Sequence, residues 1–253
     1  MISGNCGPGT RREHRNRSSG IPGYDFKKEC PFCAYTNSDL KNVSAMQAKH
    51  RPLIHLKIPF YRQHYDFTCG PACLMMAMKY LKPGLRPGKD LEIDLWREEN
   101  LVAVCGTSRY GLAFSAATRG FSARVTSSTG GIDFAEKFVP SLDDTAMELL
   151  IDQFSERRAR CKKLHVRERK APITGTTIRE SLFSNHVPLI VTSSRFCCGE
   201  DCPHWVVVTG INDKFITFYS PSDIRRKKRK TNMSALQEFI GYHGDQSMVE
   251  IWK

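Results

Sequence analysis

Apolar positions along the chain follow two regimes. Between residues 69 and 184 they recur at helical spacing, and after residue 187 they gather into short β-branched and aromatic runs. From Cys69 to Leu81 the positions Ala72, Leu74, Met75, Met76, Met78 and Leu81 predict a buried helix, stopped by Pro83 and Gly84. Leu91 to Glu98 and Tyr110 to Arg119 predict two more, the second closed by Gly120. Met147, Leu150, Ile151 and Phe154 fall on one face of a helix over Thr145 to Arg158, and Thr177 to Ser184 predicts a short one. Leu53 to Ile58 alternates as a strand, Phe121 to Val125 suits another, and residues 187–192, 205–209, 215–219 and 248–252 supply four more. Strands gathered after helices predict an α+β fold, with N-terminal helices packed on a C-terminal antiparallel sheet.

Composition divides the chain. Residues 1–28 are rich in Gly, Ser, Arg and Asn without apolar periodicity and read as a disordered basic arm. Residues 29–52 form a Cys-containing segment, and residues 53–253 are long enough for one folded domain. No run of about 18 apolar residues is present, so no membrane span is expected. The polar, basic N-terminus carries no secretory signal, and a cytoplasmic location is expected. In that compartment ten cysteines are core residues, metal ligands or nucleophiles rather than a disulfide framework.

Cys69 opens the first predicted helix, with Pro71 in its first turn. The positive end of the helix dipole there favours a thiolate, the form that attacks a carbonyl. Gly70 would let a substrate backbone approach, and Gln63 could offer its amide to an oxyanion beside the Cys69 backbone N–H. His204 opens the apolar run to Gly210, 135 residues after Cys69, and is the candidate general base. A third group should orient its imidazole. Asp223, beyond the strand 215–219, is the nearest acidic residue at a suitable strand end.

The stretch Gln63-His-Tyr-Asp-Phe-Thr-Cys-Gly-Pro-Ala-Cys-Leu74, paired with His204-Trp-Val-Val-Val-Thr-Gly-Ile211, resembles the bacteriocin-processing (double-glycine leader) cysteine peptidases, family thirty-nine. The resemblance is strongest to a stand-alone soluble bacterial subgroup. It runs from about Ile58 to Asp223 and implies a papain-like fold, a Cys–His–Asp triad and an oxyanion-hole glutamine. Cys69, His204 and Gln63 match that pattern. Where the family usually has Asp-Pro, this chain has Ser220-Pro221. Asp223, Ser220 or a backbone carbonyl then orients His204, or the pair acts as a dyad.

Two further features stand outside this picture. Cys30 and Cys33 have zinc-knuckle spacing, and Cys198 and Cys202 from the cluster at 197–202 would complete a four-thiolate structural zinc site. Arg225 to Lys230 is six consecutive cations, and Arg157 to Lys170 carries eight more. Either run could contact a polyanion, although neither is interleaved with aromatics for base stacking.

The expected function is a cysteine peptidase-like hydrolase acting on a peptide or isopeptide bond of a protein or peptide substrate. An amide-forming acyltransferase using the same Cys–His site is the alternative, as is a non-catalytic peptide- or nucleic-acid-binding protein.

Overall fold

The computed structural model describes residues 53–101, 106–131, 142–225 and 228–253. The expected arm at 1–28 and the Cys-containing segment at 29–52 lie outside the described residues.

The longer helices lie between residues 69 and 183 and pack on the sheet, but they alternate with short strands, so the expected order of helices followed by strands holds only in part. Helix α1 (Cys69–Leu81) is apolar almost all round, and every residue from Gly70 to Met78 is buried. Its last turn is tied off by Lys79, whose Nζ donates to the carbonyls of Pro83 and Leu85 at 2.5 and 2.9 Å. Helices α2 (Lys89–Glu99) and α3 (Arg109–Thr118) pack beside it. Between them strands β2 (Asn100–Leu101) and β3 (Gly106–Thr107) form a short antiparallel pair. Helix α4 (Asp144–Lys163) runs five residues past its expected end, because Cys161 extends the buried stripe of Leu150 and Phe154. Ile151, expected on that face, is instead exposed. Arg160, Lys162 and Lys163 in the last turn complement the negative helix end. Helix α5 (Gly175–Phe183) carries a capping box between Thr174 and Thr177.

The eight-stranded sheet has the order β5-β4-β10-β6-β7-β8-β9, with β1 (Ile54–His55) pairing with β7. Strands β4 (Ser122–Ser127), β6 (Val187–Ser193), β7 (Pro203–Ile211), β8 (Phe215–Tyr219) and β10 (Ser247–Trp252) follow the sequence reading closely. All seven residues of β6 are buried, as befits a strand covered on both faces.

The edge strands β5 (Arg167–Lys170) and β9 (Arg229–Asn232) are polar and carry no apolar alternation, so the pattern did not reveal them. Charged edges of this kind block further strand pairing. The expectation of a purely antiparallel sheet needs one correction, since β5 pairs parallel to β4. The alternation over 53–58 yields only two paired residues, Ile54 with Ile211 and His55 with Gly210. Gly210 is required there: a Cβ would lie 2.6 Å from the Ile54 carbonyl oxygen.

This mixed α/β, antiparallel-rich architecture sets the tip of α1 against the start of β7. Trp205 makes that junction. Its indole N–H donates to the Thr107 carbonyl at 3.0 Å, and its own carbonyl accepts from the Cys73 thiol at 3.3 Å. Among the described residues no helix is long and apolar enough to cross a membrane.

Candidate active site

Cys69 is the first residue of α1 and keeps some exposed surface. Burial of its thiol is nonetheless the largest influence on it and pushes its pKa up to about 11. The backbone N–H groups of Trp205, Gly70 and Cys69 itself pull the other way, and the Cys202 thiol adds to the rise. The expected lowering by the helix terminus is therefore overturned, because desolvation of the thiolate outweighs the N–H groups around it. Gly70 also has a different role from the one its sequence suggested. It is buried, and a Cβ there would sit 2.7 Å from Thr107 Cβ, so the missing side chain admits Thr107 rather than a substrate.

His204 is the second residue of β7, paired across the sheet with Thr192 and only 6% exposed. Burial holds its pKa down at about 4. Its Nε2 lies 3.0 Å from Ser220 Oγ, and Ser220 Oγ lies 2.8 Å from Ser222 Oγ. The hydroxyl that replaces the expected carboxylate thus holds the outer ring nitrogen. Burial pushes the nearby Cys197 thiol up to about 11, against the opposing pull of the Ser220 hydroxyl.

Asp223 does not share this contact. Its carboxylate accepts from the Arg225 backbone N–H at 2.9 Å and from Arg229 Nε at 2.8 Å, and its own N–H donates to the Ser220 carbonyl at 3.1 Å. Asp223 thus braces the turn that carries Ser220.

Gln63 joins the same corner through its backbone, whose N–H donates to the Pro221 carbonyl at 3.0 Å. Its side-chain Nε2 is turned to the carbonyls of Tyr65 and Asp66, at 2.8 and 3.2 Å. Its Oε1 is buried and has no hydrogen-bond partner among the described residues.

One residue that the sequence reading missed organises the approach to Cys69. Glu92 of α2 is fully buried and receives hydrogen bonds from the segment Tyr61–Thr68. Its Oε2 accepts from the Tyr61 hydroxyl at 2.9 Å and lies 2.8 Å from His64 Nδ1. Its Oε1 accepts from the His64 backbone N–H at 2.8 Å and from the Thr68 hydroxyl. A glutamate on a helix whose neighbours are mostly polar carries no sequence signal of burial.

Of the expected zinc ligands, Cys30 and Cys33 lie outside the described residues. Cys198 and Cys202 converge on Ser194: the Cys198 thiol donates to its carbonyl at 3.6 Å and the Cys202 thiol to its Oγ at 3.2 Å. Among the described residues no three His, Cys, Asp or Glu side chains converge on a metal position. The cations from residue 225 are partly engaged. Arg229 holds Asp223, Lys228 Nζ lies 2.8 Å from His55 Nε2, and Lys230 covers the Phe215 ring at 4.4 Å. Arg226 and Lys227 lie outside the described residues.

Among the described residues no hydrogen bond joins the Cys69 thiol to the His204 ring; the helix-tip thiol meets the backbone of Trp205, the residue that follows the buried histidine, on a mixed α/β scaffold. The Peptidase C39-like family model matches residues 58–238, and the chain belongs to that family. No curated protein matches it.

Proposed function

We propose that the chain is a cysteine peptidase-like hydrolase of papain-like design that cleaves a peptide or isopeptide bond in a protein or peptide substrate. One observation carries this reading. The Cys69 sulfur sits against the Trp205 N–H, and the preceding residue, His204, has its Nε2 occupied by Ser220. With Nε2–H donating to Ser220 Oγ, the lone pair on Nδ1 is left to act as the base.

The two groups rest as neutral thiol and neutral imidazole. Separating a proton from a thiol near 11 onto an imidazole near 4 costs about 10 kcal/mol before the attraction of the charges it creates. Even at a contact distance of about 4 Å, that attraction would recover only about 4 kcal/mol in a partly screened site. A standing ion pair is therefore disfavoured, and the proton leaves Cys69 as its sulfur bonds to the carbonyl carbon. His204 then gives this proton to the departing amine as the C–N bond breaks. Water, deprotonated by His204, hydrolyses the thioester and restores the thiol.

The developing oxyanion is within the province of the Cys69 and Gly70 N–H groups, which lie at the positive end of α1. Gln63 joins them by exchanging its longer bond, to the Asp66 carbonyl, for the oxyanion. Ser220 takes the orienting role, and Asp223 supports it from behind. The six cysteines among the described residues are all free, which suits a reducing cytoplasm.

Incubation with p-nitrophenyl acetate, followed by peptide mapping, tests the proposal. An acetyl group on Cys69 that turns over in the wild type and forms at least tenfold more slowly in His204→Ala is the expected result. Acetylation confined to other thiols, or a Cys69 adduct indifferent to His204, would refute it.

A further inference from the structure

Glu92 presents an unusual arrangement. A carboxylate at zero exposure has no Lys or Arg ion-pair partner among the described residues, and it is surrounded by donors from one short segment. Burying such a group costs several kcal/mol unless hydrogen bonds replace its water, and an apolar residue of similar size would often serve stability as well. The segment it holds is the one that ends at the nucleophile.

Thr68 shows what the carboxylate does there. It occupies the N-cap position of α1, where a threonine hydroxyl ordinarily accepts a hydrogen bond from the second or third helical N–H. The third helical residue is Pro71, which has no N–H, so Gly70 is the N–H left for such a cap. Thr68 makes no cap bond. Its ψ of 23° departs from the extended conformation of a capping residue, and its hydroxyl is engaged with Glu92 and the Tyr65 carbonyl instead. The Gly70 N–H consequently has no cap partner and stays at the tip of α1 beside Cys69, next to where an acyl oxyanion would form.

We infer that Glu92 is a positioning residue that keeps the Thr68 hydroxyl off the tip of α1 and so keeps the Gly70 N–H open for the oxyanion. This rests on the hydrolase reading above. In Glu92→Ala the hydroxyl can still donate to the Tyr65 carbonyl, but its oxygen is no longer held toward α2 and can swing to accept from, and so compete for, that N–H. In Glu92→Gln an acceptor for Thr68 remains. In Thr68→Val no cap can form at all.

Two probes separate this role from general loosening of the loop. Capture of N-acetylglycinal as a hemithioacetal joins the Cys69 sulfur to the aldehyde carbon and moves the thiol proton to the new oxygen, which occupies the oxyanion position and accepts from the helix-tip donor. Alkylation by iodoacetamide develops no oxyanion. The full-length Glu92→Ala protein should bind the aldehyde about tenfold or more weakly, a modest fraction of the loss seen on removing one oxyanion donor. Its alkylation rate at Cys69 should stay within about threefold of wild type. Glu92→Gln should remain near wild type with both probes. Adding Thr68→Val to Glu92→Ala should restore most of the aldehyde affinity, an outcome that loss of structure cannot produce.

Aldehyde binding unchanged in Glu92→Ala, equal losses with both probes, or no recovery in the double variant would each overturn the inference. Should Glu92→Ala not fold, an aldehyde affinity for Glu92→Gln at least tenfold below wild type would also overturn it, and near-wild-type affinity together with unimpaired Thr68→Val would uphold it. Wild-type protein that captures no aldehyde at Cys69 would instead remove the hydrolase reading beneath it.

Discussion

The resting thiol gives the sharpest quantitative prediction. A cysteine of ordinary pKa, about 8.5, is roughly 3% thiolate at pH 7. Cys69, held at about 11 by burial, is ionised to only about one part in 10⁴. The thiolate fraction is thus about 300-fold smaller. A more basic thiolate is also a better nucleophile, and a Brønsted slope near 0.45 returns about tenfold of that loss. Alkylation of Cys69 by iodoacetamide at pH 7 should therefore run about 30-fold slower than that of an ordinary exposed thiol such as N-acetylcysteine. The rate should go on climbing about tenfold per pH unit through pH 9. Timed alkylation across pH 5 to 10, with the modified peptide identified by mass spectrometry and Cys69→Ser as the blank, measures this directly. A plateau reached below pH 8, or a rate above that of the small thiol at pH 6, would refute the reasoning. Either result would mean that a thiolate–imidazolium pair already stands in the resting protein.

Two other outcomes follow from buried groups around the site. Glu99, at zero exposure and with both carboxylate oxygens lacking hydrogen-bond partners among the described residues, has its pKa pushed well above the ordinary range by burial and then by neighbouring Glu98. The folded state then keeps a proton that the unfolded chain loses, so stability falls by about 1.4 kcal/mol per pH unit above the ordinary glutamate pKa until the folded group titrates. Glu99→Gln should flatten that slope and raise the midpoint of urea unfolding at pH 7; a wild-type stability independent of pH from 5 to 7 would contradict this. Ser220→Ala leaves His204 Nε2 buried without its partner, at a cost of about 1–3 kcal/mol. It should slow Cys69 acetylation by p-nitrophenyl acetate while Asp223→Asn has the smaller effect, and the reverse order would restore Asp223 to the orienting role.

What could be read from the sequence divides along a physical line. Buried elements announce themselves through apolar periodicity, so α1 and the strands β6, β7, β8 and β10 were predicted close to their observed bounds. Edge strands β5 and β9 have no apolar face to conserve a period of two, and only pairing geometry reveals them. The positions of Cys69 and His204 at the openings of their elements were legible for the same reason. Their electrostatic state was not, because it depends on how deeply the packed chain withdraws each group from water. Helix-dipole reasoning treats the thiol as if solvent stayed put. The partners of His204 were equally hidden. A carboxylate two or three residues from the right place is indistinguishable in sequence from one in contact, until Arg229 is seen to hold it.

The same arithmetic explains why the site tolerates a hydroxyl where a carboxylate might be expected. A buried carboxylate on His204 Nε2 would favour imidazolium, and with Cys69 this far from ionising it would do so without a thiolate to balance the charge. Ser220 offers direction without charge: it fixes the ring through one hydrogen bond and leaves the imidazole neutral, which is the form that can accept the proton of a neutral thiol. Under the proposed hydrolase function, the hydroxyl suits a chemistry in which proton transfer and carbon–sulfur bond formation occur together and the helix-tip N–H groups carry the charge that develops. Under that division of labour, the group that keeps those N–H donors uncovered matters as much as the group that orients the base. On the proposed hydrolase reading, Glu92 and Ser220 support the two halves of one mechanism, the oxyanion donors and the base.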